Sequence, residues 1–204
     1  MTSRGRPRKF DRDAALKSAM VLFWEQGYET TSMSDLVSSM GINSPSIYAA
    51  FGSKEALFLE ALKLYCQTDG ARVWDAMTQE ISAFKAVEAM LITSAREYTR
   101  SDRPHGCFVI LEALHGHAGN ESIRQELCTL RSANIRRLAQ YLDHSMSDKE
   151  QAPDLDWQAI ARFIVTLQQG MSIQARDGET IENLLEVAKQ GTKCFEYLVG
   201  IQTT

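Results

Sequence analysis

The sequence predicts an all-α protein in two parts, three short helices within its first 52 residues and a longer helical remainder. Three observations predict it. Apolar residues recur at spacings of three and four along the chain, whereas period-two alternation is hard to find. Glycines and prolines punctuate element ends. A length of 204 residues, 44% hydrophobic and 24% charged, is that of one large or two small globular domains.

The first helix opens at Asp11, an N-cap, with Phe10 before it as a hydrophobic staple, and stops at Gly27. Ala15, Ala19, Leu22 and Phe23 form its apolar stripe. Ser32 with Asp35 three residues on is a weaker form of capping box, and opens a short helix that ends at Gly41. Its buried face is Met33, Leu36, Val37 and Met40. The third helix starts at Asn43 or Ser44, where Pro45 is tolerated because first-turn amides have no helical acceptor. Ser53 caps a fourth helix expected to run from Lys54 to the mid-70s and to join the two parts without a loose linker. Further helices are expected at about 83–101, 105–116, 120–145, 155–177 and 180–199, with Pro104, Gly119, Pro153 and Gly178 at the breaks.

Charge divides the chain as well. The net charge of −4 conceals a basic end on an acidic body: residues 1–54 hold seven Lys/Arg against five Asp/Glu, and Arg4, Arg6, Arg8 and Lys9 lead with no acid among them. An anionic partner for the N-terminal part alone follows. No apolar run approaches the roughly 20 residues that cross a bilayer, and no apolar stretch follows the basic start, so a soluble cytoplasmic protein is expected. Cys66, Cys107, Cys128 and Cys194 form no C-x-x-C pair, as in a reduced compartment. His115 and His117, two apart, would point to nearly opposite sides of a helix and cannot chelate jointly there. No metal or cofactor is expected.

The stretch "SMSDLVSSMGINSPSIYAAF" matches a helix-turn-helix, whose second helix enters the DNA major groove. Ile47 and Phe51, four apart, share the inward stripe. Ser44, Pro45, Ser46, Ala49 and Ala50 are small, and a groove about 12 Å wide admits a helix only if its reading face is slim. Tyr48 can send its hydroxyl to a phosphate, and Lys54 can do so at a helix N-terminus.

Around this stretch, "ALKSAMVLFWEQGYETTSMSDLVSSMGINSPSIYAAFGSKEALFLEAL" resembles the DNA-binding domain of the TetR family of one-component repressors. The pattern is Gly-Tyr-x-x-Thr-[ST]-hydrophobic, Gly-hydrophobic, then hydrophobic-Tyr-x-x-Phe-x-[ST]-Lys-[ED]-x-Leu, over about the first 60 residues; "GCFVILEAL" adds a weaker likeness. The resemblance implies an arm over 1–9, a helix-turn-helix domain over 10–53 and a ligand-binding and dimerisation domain over 54–204. Ser44, Pro45 and Ser46 then begin the recognition helix, with Thr31 or Ser32, Tyr48 and Lys54 near phosphates. Many members carry lysine where this chain has Ser44, and bulkier polar residues at Ala49 and Ala50. Part of the specificity is therefore assigned to DNA shape or to the arm, whose Arg-Gly-Arg-Pro resembles an AT-hook and would lay Arg4 and Arg6, with Arg8 following, along a narrow minor groove.

In the second part, Leu184, Ala188, Gly191, Phe195 and Leu198 follow an a/d-type seam, and Trp157, Ile160, Ile164, Leu167 and Met171 form a stripe on the preceding helix. Either an intramolecular pair or a four-helix interface between two subunits fits this spacing; the resemblance favours the homodimer. Trp74, Met77, Met90, Tyr98, Cys107, Phe108 and Leu111 are candidates for an apolar or aromatic effector pocket, although residues of these types are more often plain core. Arg103 and His105 near Cys107 would lower its thiol pKa if they face it; otherwise it is an inert buried cysteine. The chain lacks G-x-S-x-G, a P-loop and a dinucleotide turn, so no enzyme is expected. The function implied is that of a homodimeric repressor of a palindromic operator released by a small effector. The alternative is a DNA-binding protein controlled by a protein partner or by cysteine oxidation.

Overall fold

The computed structural model describes residues 11–80, 82–114, 120–146 and 155–200. Among them there is no strand, and the helices are α1 (Arg12–Gln26), α2 (Met33–Met40), α3 (Ser44–Phe51), α4 (Lys54–Gln67), α5 (Ala71–Thr78), α6 (Ala83–Tyr98), α7 (Phe108–Leu111), α8 (Glu121–Met146), α9 (Trp157–Arg176) and α10 (Ile181–Val199). A 3-10 turn, Glu112–Leu114, follows α7. Within these residues no helix is long and apolar enough to cross a membrane.

Local chemistry sets the early starts. Asp11 accepts from the amides of Asp13 and Ala14, Asn43 from Ser46 and Ser53 from Ala56. Ser32 and Asp35 close a full capping box.

The fourth helix is shorter than expected. It stops at Gln67, because Thr68 leaves the helical region (φ −121°, ψ −91°) and the Thr68 and Gly70 amides both fold back onto the Tyr65 carbonyl. Gly70 lies flat against the Tyr65 ring, where a Cβ would stand 2.8 Å from Cε1. The chain then restarts as α5. Of the helix expected over 105–116, the described residues form the four of α7 and a 3-10 turn.

Two cores result. The first packs Phe23, Leu36, Ile47, Phe58 and Leu62 of α1–α4, and runs on into Phe108 and Val109 of α7 and Ile123 and Leu127 of α8. Its aromatic centre is edge-to-face: Phe58 on Phe23 at 5.2 Å and on Phe108 at 5.4 Å. The second surrounds α6, with α5, α8, α9 and α10 against it. Arg176 at the end of α9 donates to the Glu25 carbonyl at the end of α1, tying the two parts together from the far side.

This packing corrects the seam read from spacing. Ile164, Met171, Leu184, Ala188, Gly191 and Phe195 are buried within the single chain, so they pack its own core. Gly191 lets α9 and α6 approach α10: a Cβ there would stand 2.3 Å from Leu167 and 3.0 Å from Leu91. Of the proposed interface residues only Leu167, half-buried, and Leu198, exposed, keep access. The stripe with helical period is the inward one. The outward faces of α9 and α10 instead carry Phe163, Tyr197 and Leu198, which are 45%, 87% and 42% exposed.

Candidate nucleic-acid interface and effector cavity

The α3 rod is held from behind. Ile47 and Phe51 are sunk in the first core, so Pro45, Tyr48 and Ala49 face outward with Ser44 and Ser46 at the margins. Arg12 lies over the Phe51 ring at 4.4 Å and pairs with Glu60 at 2.7 Å, which braces α3 against α1 and α4. Its guanidinium, though exposed, is thereby paired within the chain.

The flanking candidates fare differently. Thr31 is fully buried and its hydroxyl donates to the Gly27 carbonyl at 2.6 Å, so it closes the turn after α1 and cannot reach a phosphate. Ser32 is exposed, but its hydroxyl already donates to Asp35 and accepts from the Asp35 amide. Lys54 is half-buried with Nζ 4.3 Å above the Tyr28 ring, and burial lowers its pKa. Arg4, Arg6 and Arg8 lie outside the described residues.

Behind this module lies a cavity of about 170 Å³ between the end of α4, α5, α6, the turn before α7, α8 and α9. Trp74, Tyr98 and Cys107 line it; Met77, Met90, Phe108 and Leu111 do not, the first two being packed into the second core, Phe108 into the first, and Leu111 being buried outside the lining. The cavity also takes residues the spacing could not nominate: Trp24 from α1, Tyr65 from α4, and Arg131, Asn134 and Arg137 from α8. On its rim Asp69 and Glu97 are gathered by Arg103, at 3.5 Å from Glu97, with Arg72 and Arg100 adding to the cluster.

Arg103 is therefore spent on carboxylates rather than on a thiol. Burial, the largest influence on Cys107, raises its pKa, although the side chains of Tyr65 and Tyr98 hydrogen-bond to it. Burial pushes Cys66 up to about 12. Both stay protonated thiols at neutral pH, the inert alternative rather than the activated one. Among the described residues no cluster of His, Cys, Asp or Glu could hold a metal ion.

Residues 15–61 match the family model for bacterial regulatory proteins of the tetR family, and residues 83–190 match the LmrA/YxaF-like transcriptional regulator C-terminal domain. The chain is similar to the HTH-type transcriptional repressor ComR of Escherichia coli (strain K12), 36% identical over 198 residues, 97% of this chain and 94% of that protein. It is also similar to the repressor BdcR of the same strain, 30% identical over 195 residues, 96% and 94% respectively. A solved structure of the TetR family regulator CifR, a cysteine mutant complexed with 26 bp double-strand operator DNA, superposes with a TM-score of 0.87 at 39% identity, covering 93% of this chain and 98% of that one.

Proposed function

The chain belongs to the TetR family of bacterial transcriptional regulators, and on that premise we propose that it is a homodimeric repressor whose hold on operator DNA is released by a small effector. The observation that carries the DNA-binding half is the face of α3: outward residues kept small, on a rod pinned by Ile47 and Phe51. Ser44, Pro45 and Ser46 meet base edges at the start of that rod, and Tyr48 reaches a phosphate. The division into arm, helix-turn-helix domain and ligand-binding domain follows the same reading. The relative CifR is solved on operator DNA, which supports it.

A two-fold dimer sets its recognition helices one DNA turn apart, about 34–36 Å, so the operator is roughly palindromic. The outward faces of α9 and α10, with Phe163, Tyr197 and Leu198, supply the contact between subunits. Tyr65 and Trp24 belong to α4 and α1, so an effector in the cavity touches the helices that carry α3. Effector and DNA then favour different arrangements of α4, and each weakens the other.

The protein acts in the cytoplasm, on the chromosome, without catalysis. Control by oxidation of Cys66 or Cys107 is disfavoured by the burial that raises both thiols' pKa, and control by a protein partner alone by the cavity. Selection of duplexes from a random pool, followed by anisotropy titration, tests the reading. A symmetric site bound by two chains is expected; equal affinity for selected and random duplex would overturn it.

A further inference from the structure

The indole of Trp24 has the one buried side-chain nitrogen or oxygen that finds no hydrogen-bond partner among the described residues. Trp24 is only 4% exposed, it lines the cavity, and it packs edge-to-face on Tyr65 at 4.9 Å. A buried donor left unpaired is costly, and a molecule bringing an acceptor to it removes that cost.

The charge of the lining says what kind of acceptor. The two carboxylates, Asp69 and Glu97, are already held by Arg103, Arg72 and Arg100. Arg131 and Arg137 of α8 make no ion pair among the described residues. Arg131 donates to uncharged acceptors, the Val109 carbonyl at 3.4 Å and the Cys128 sulfur at 3.2 Å, and Arg137 sits over the Trp74 ring at 5.4 Å. A cationic guest is repelled here and an anionic one is welcomed.

Size narrows it further. About 170 Å³ is well below the 300–1,000 Å³ of sites for drug-sized ligands, but above the roughly 150 Å³ that accepts a benzene ring. Trp74, Tyr65, Val73 and Ile110 give the ring an apolar and aromatic seat.

We propose that the effector is a single-ring aromatic carboxylate, its ring among these side chains, its carboxylate shared between the Trp24 indole N–H and the α8 arginines. The inference rests on the effector-released repressor reading and deepens it: an acceptor on Trp24 pulls directly on α1, a helix of the DNA-binding module.

The test uses the full-length protein, benzoate as probe and benzamide as its neutral counterpart, by calorimetry and by release of a selected duplex. Benzoate is expected to bind at least tenfold tighter than benzamide and to release the DNA. Trp24→Phe, which removes the N–H and keeps an aromatic ring, is expected to lose about tenfold for benzoate. Arg131→Gln, on the partly exposed wall, is expected to erase the preference for the anion with its melting curve unchanged. Benzamide binding as well as benzoate, no binding of either, or full benzoate affinity in a folded Trp24→Phe would each overturn the proposal. Failure to bind the selected duplex without any probe would strike the repressor reading instead, and the same titration reads that separately.

Discussion

The ammonium of Lys54 stands 4.3 Å above the ring of Tyr28, and that contact joins the start of α4 to the turn between α1 and α2. The Tyr28 amide in turn donates to Glu112 Oε1 at 3.0 Å. Glu112 belongs to the 3-10 turn after α7, so three residues link the helix-turn-helix module to the rest of the chain. The lysine that the motif nominates for phosphate is thus a brace between the two parts before it meets any DNA.

Glu112 makes this link pH-sensitive. Desolvation by burial, followed by the charge of nearby Glu29, raises its carboxyl from the ordinary 4.5 to about 7, against the Tyr28 amide and Lys54, which lower it. The folded chain binds this proton more tightly than the unfolded one. Its contribution to stability is therefore complete below pH 4.5 and lost as pH rises through about 7. Glu112→Gln keeps an acceptor for Tyr28 without titrating. Urea midpoints at pH 5 and pH 8 should show the variant gaining on the wild type with pH, by on the order of 3 kcal/mol at most. Parallel pH profiles would show that Glu112 titrates normally.

Gly106 is fixed by its surroundings. Its φ is +79°, and a Cβ would lie 2.7 Å from the Ser172 carbonyl oxygen and 2.8 Å from Leu111. Its neighbour Cys107 donates its amide to Ser172 Oγ at 2.8 Å, so the turn cannot drift outward without breaking that bond. Gly106→Ala should cost on the order of 2–4 kcal/mol, adding left-handed strain to a backbone collision. A thermal melt should fall by roughly 10 °C; an unchanged melt would mean the turn relaxes freely.

The face of α3 can be tested without disturbing its core. Ala49 is exposed, so Ala49→Glu should leave the melt within about 0.5 kcal/mol while a carboxylate turned toward phosphates abolishes DNA binding. Tyr48→Phe, losing only a hydroxyl, should weaken selected and random duplexes by the same few-fold factor, as a phosphate contact does. Anisotropy titrations on both duplexes separate the cases; a Tyr48→Phe effect confined to the selected site would make Tyr48 a base reader.

The helix starts were legible because capping is local: Asp11, Ser32, Asn43 and Ser53 each reach amides two or three residues on. The α4–α5 break was not, since it depends on Tyr65 folding its ring across Gly70. Spacing likewise cannot tell a helix face turned to its own chain from one turned to a partner. Leu184, Ala188 and Phe195 are therefore core, while the exposed Phe163 and Tyr197 lie off the periodic stripe, unmarked by spacing. Much of the cavity lining was illegible for a related reason. Trp24, Tyr65 and the α8 pair Arg131 and Asn134 come from segments far apart in sequence, and no local pattern brings them together.

Those unmarked aromatics carry the prediction for assembly. Tyr197 is 87% exposed and Phe163 45% exposed beside Cys194 and Leu198 on an apolar groove between α9 and α10. Tyr197→Asp with Phe163→Asp should leave helicity intact, because neither side chain holds up the core. Light scattering should show the dimer falling to monomers, and affinity for a symmetric site should drop at least a hundredfold as the two half-sites lose their linkage. A double variant that stays dimeric would move the interface elsewhere on the molecule.

The arm makes a prediction of a different kind, since its contribution is charge rather than shape. Residues 1–9 hold Arg4, Arg6, Arg8 and Lys9, and a dimer on the proposed operator would bring two copies of this basic segment. Each phosphate neutralised steepens the dependence of log affinity on log salt by about 0.9. The α3 face has no cation of its own, and Arg12 and Lys54 are engaged with Glu60 and Tyr28, so the arm should supply a large share of that slope. Deleting residues 2–9 should flatten it by several units and weaken selected and random duplexes together. If the arginines also sit in a narrow A·T minor groove, a G·C-rich flank should weaken the wild type and leave the deletion variant unmoved. Titrations from 50 to 200 mM salt on both flanks distinguish these outcomes, and an unchanged slope after deletion would remove the arm from the complex altogether.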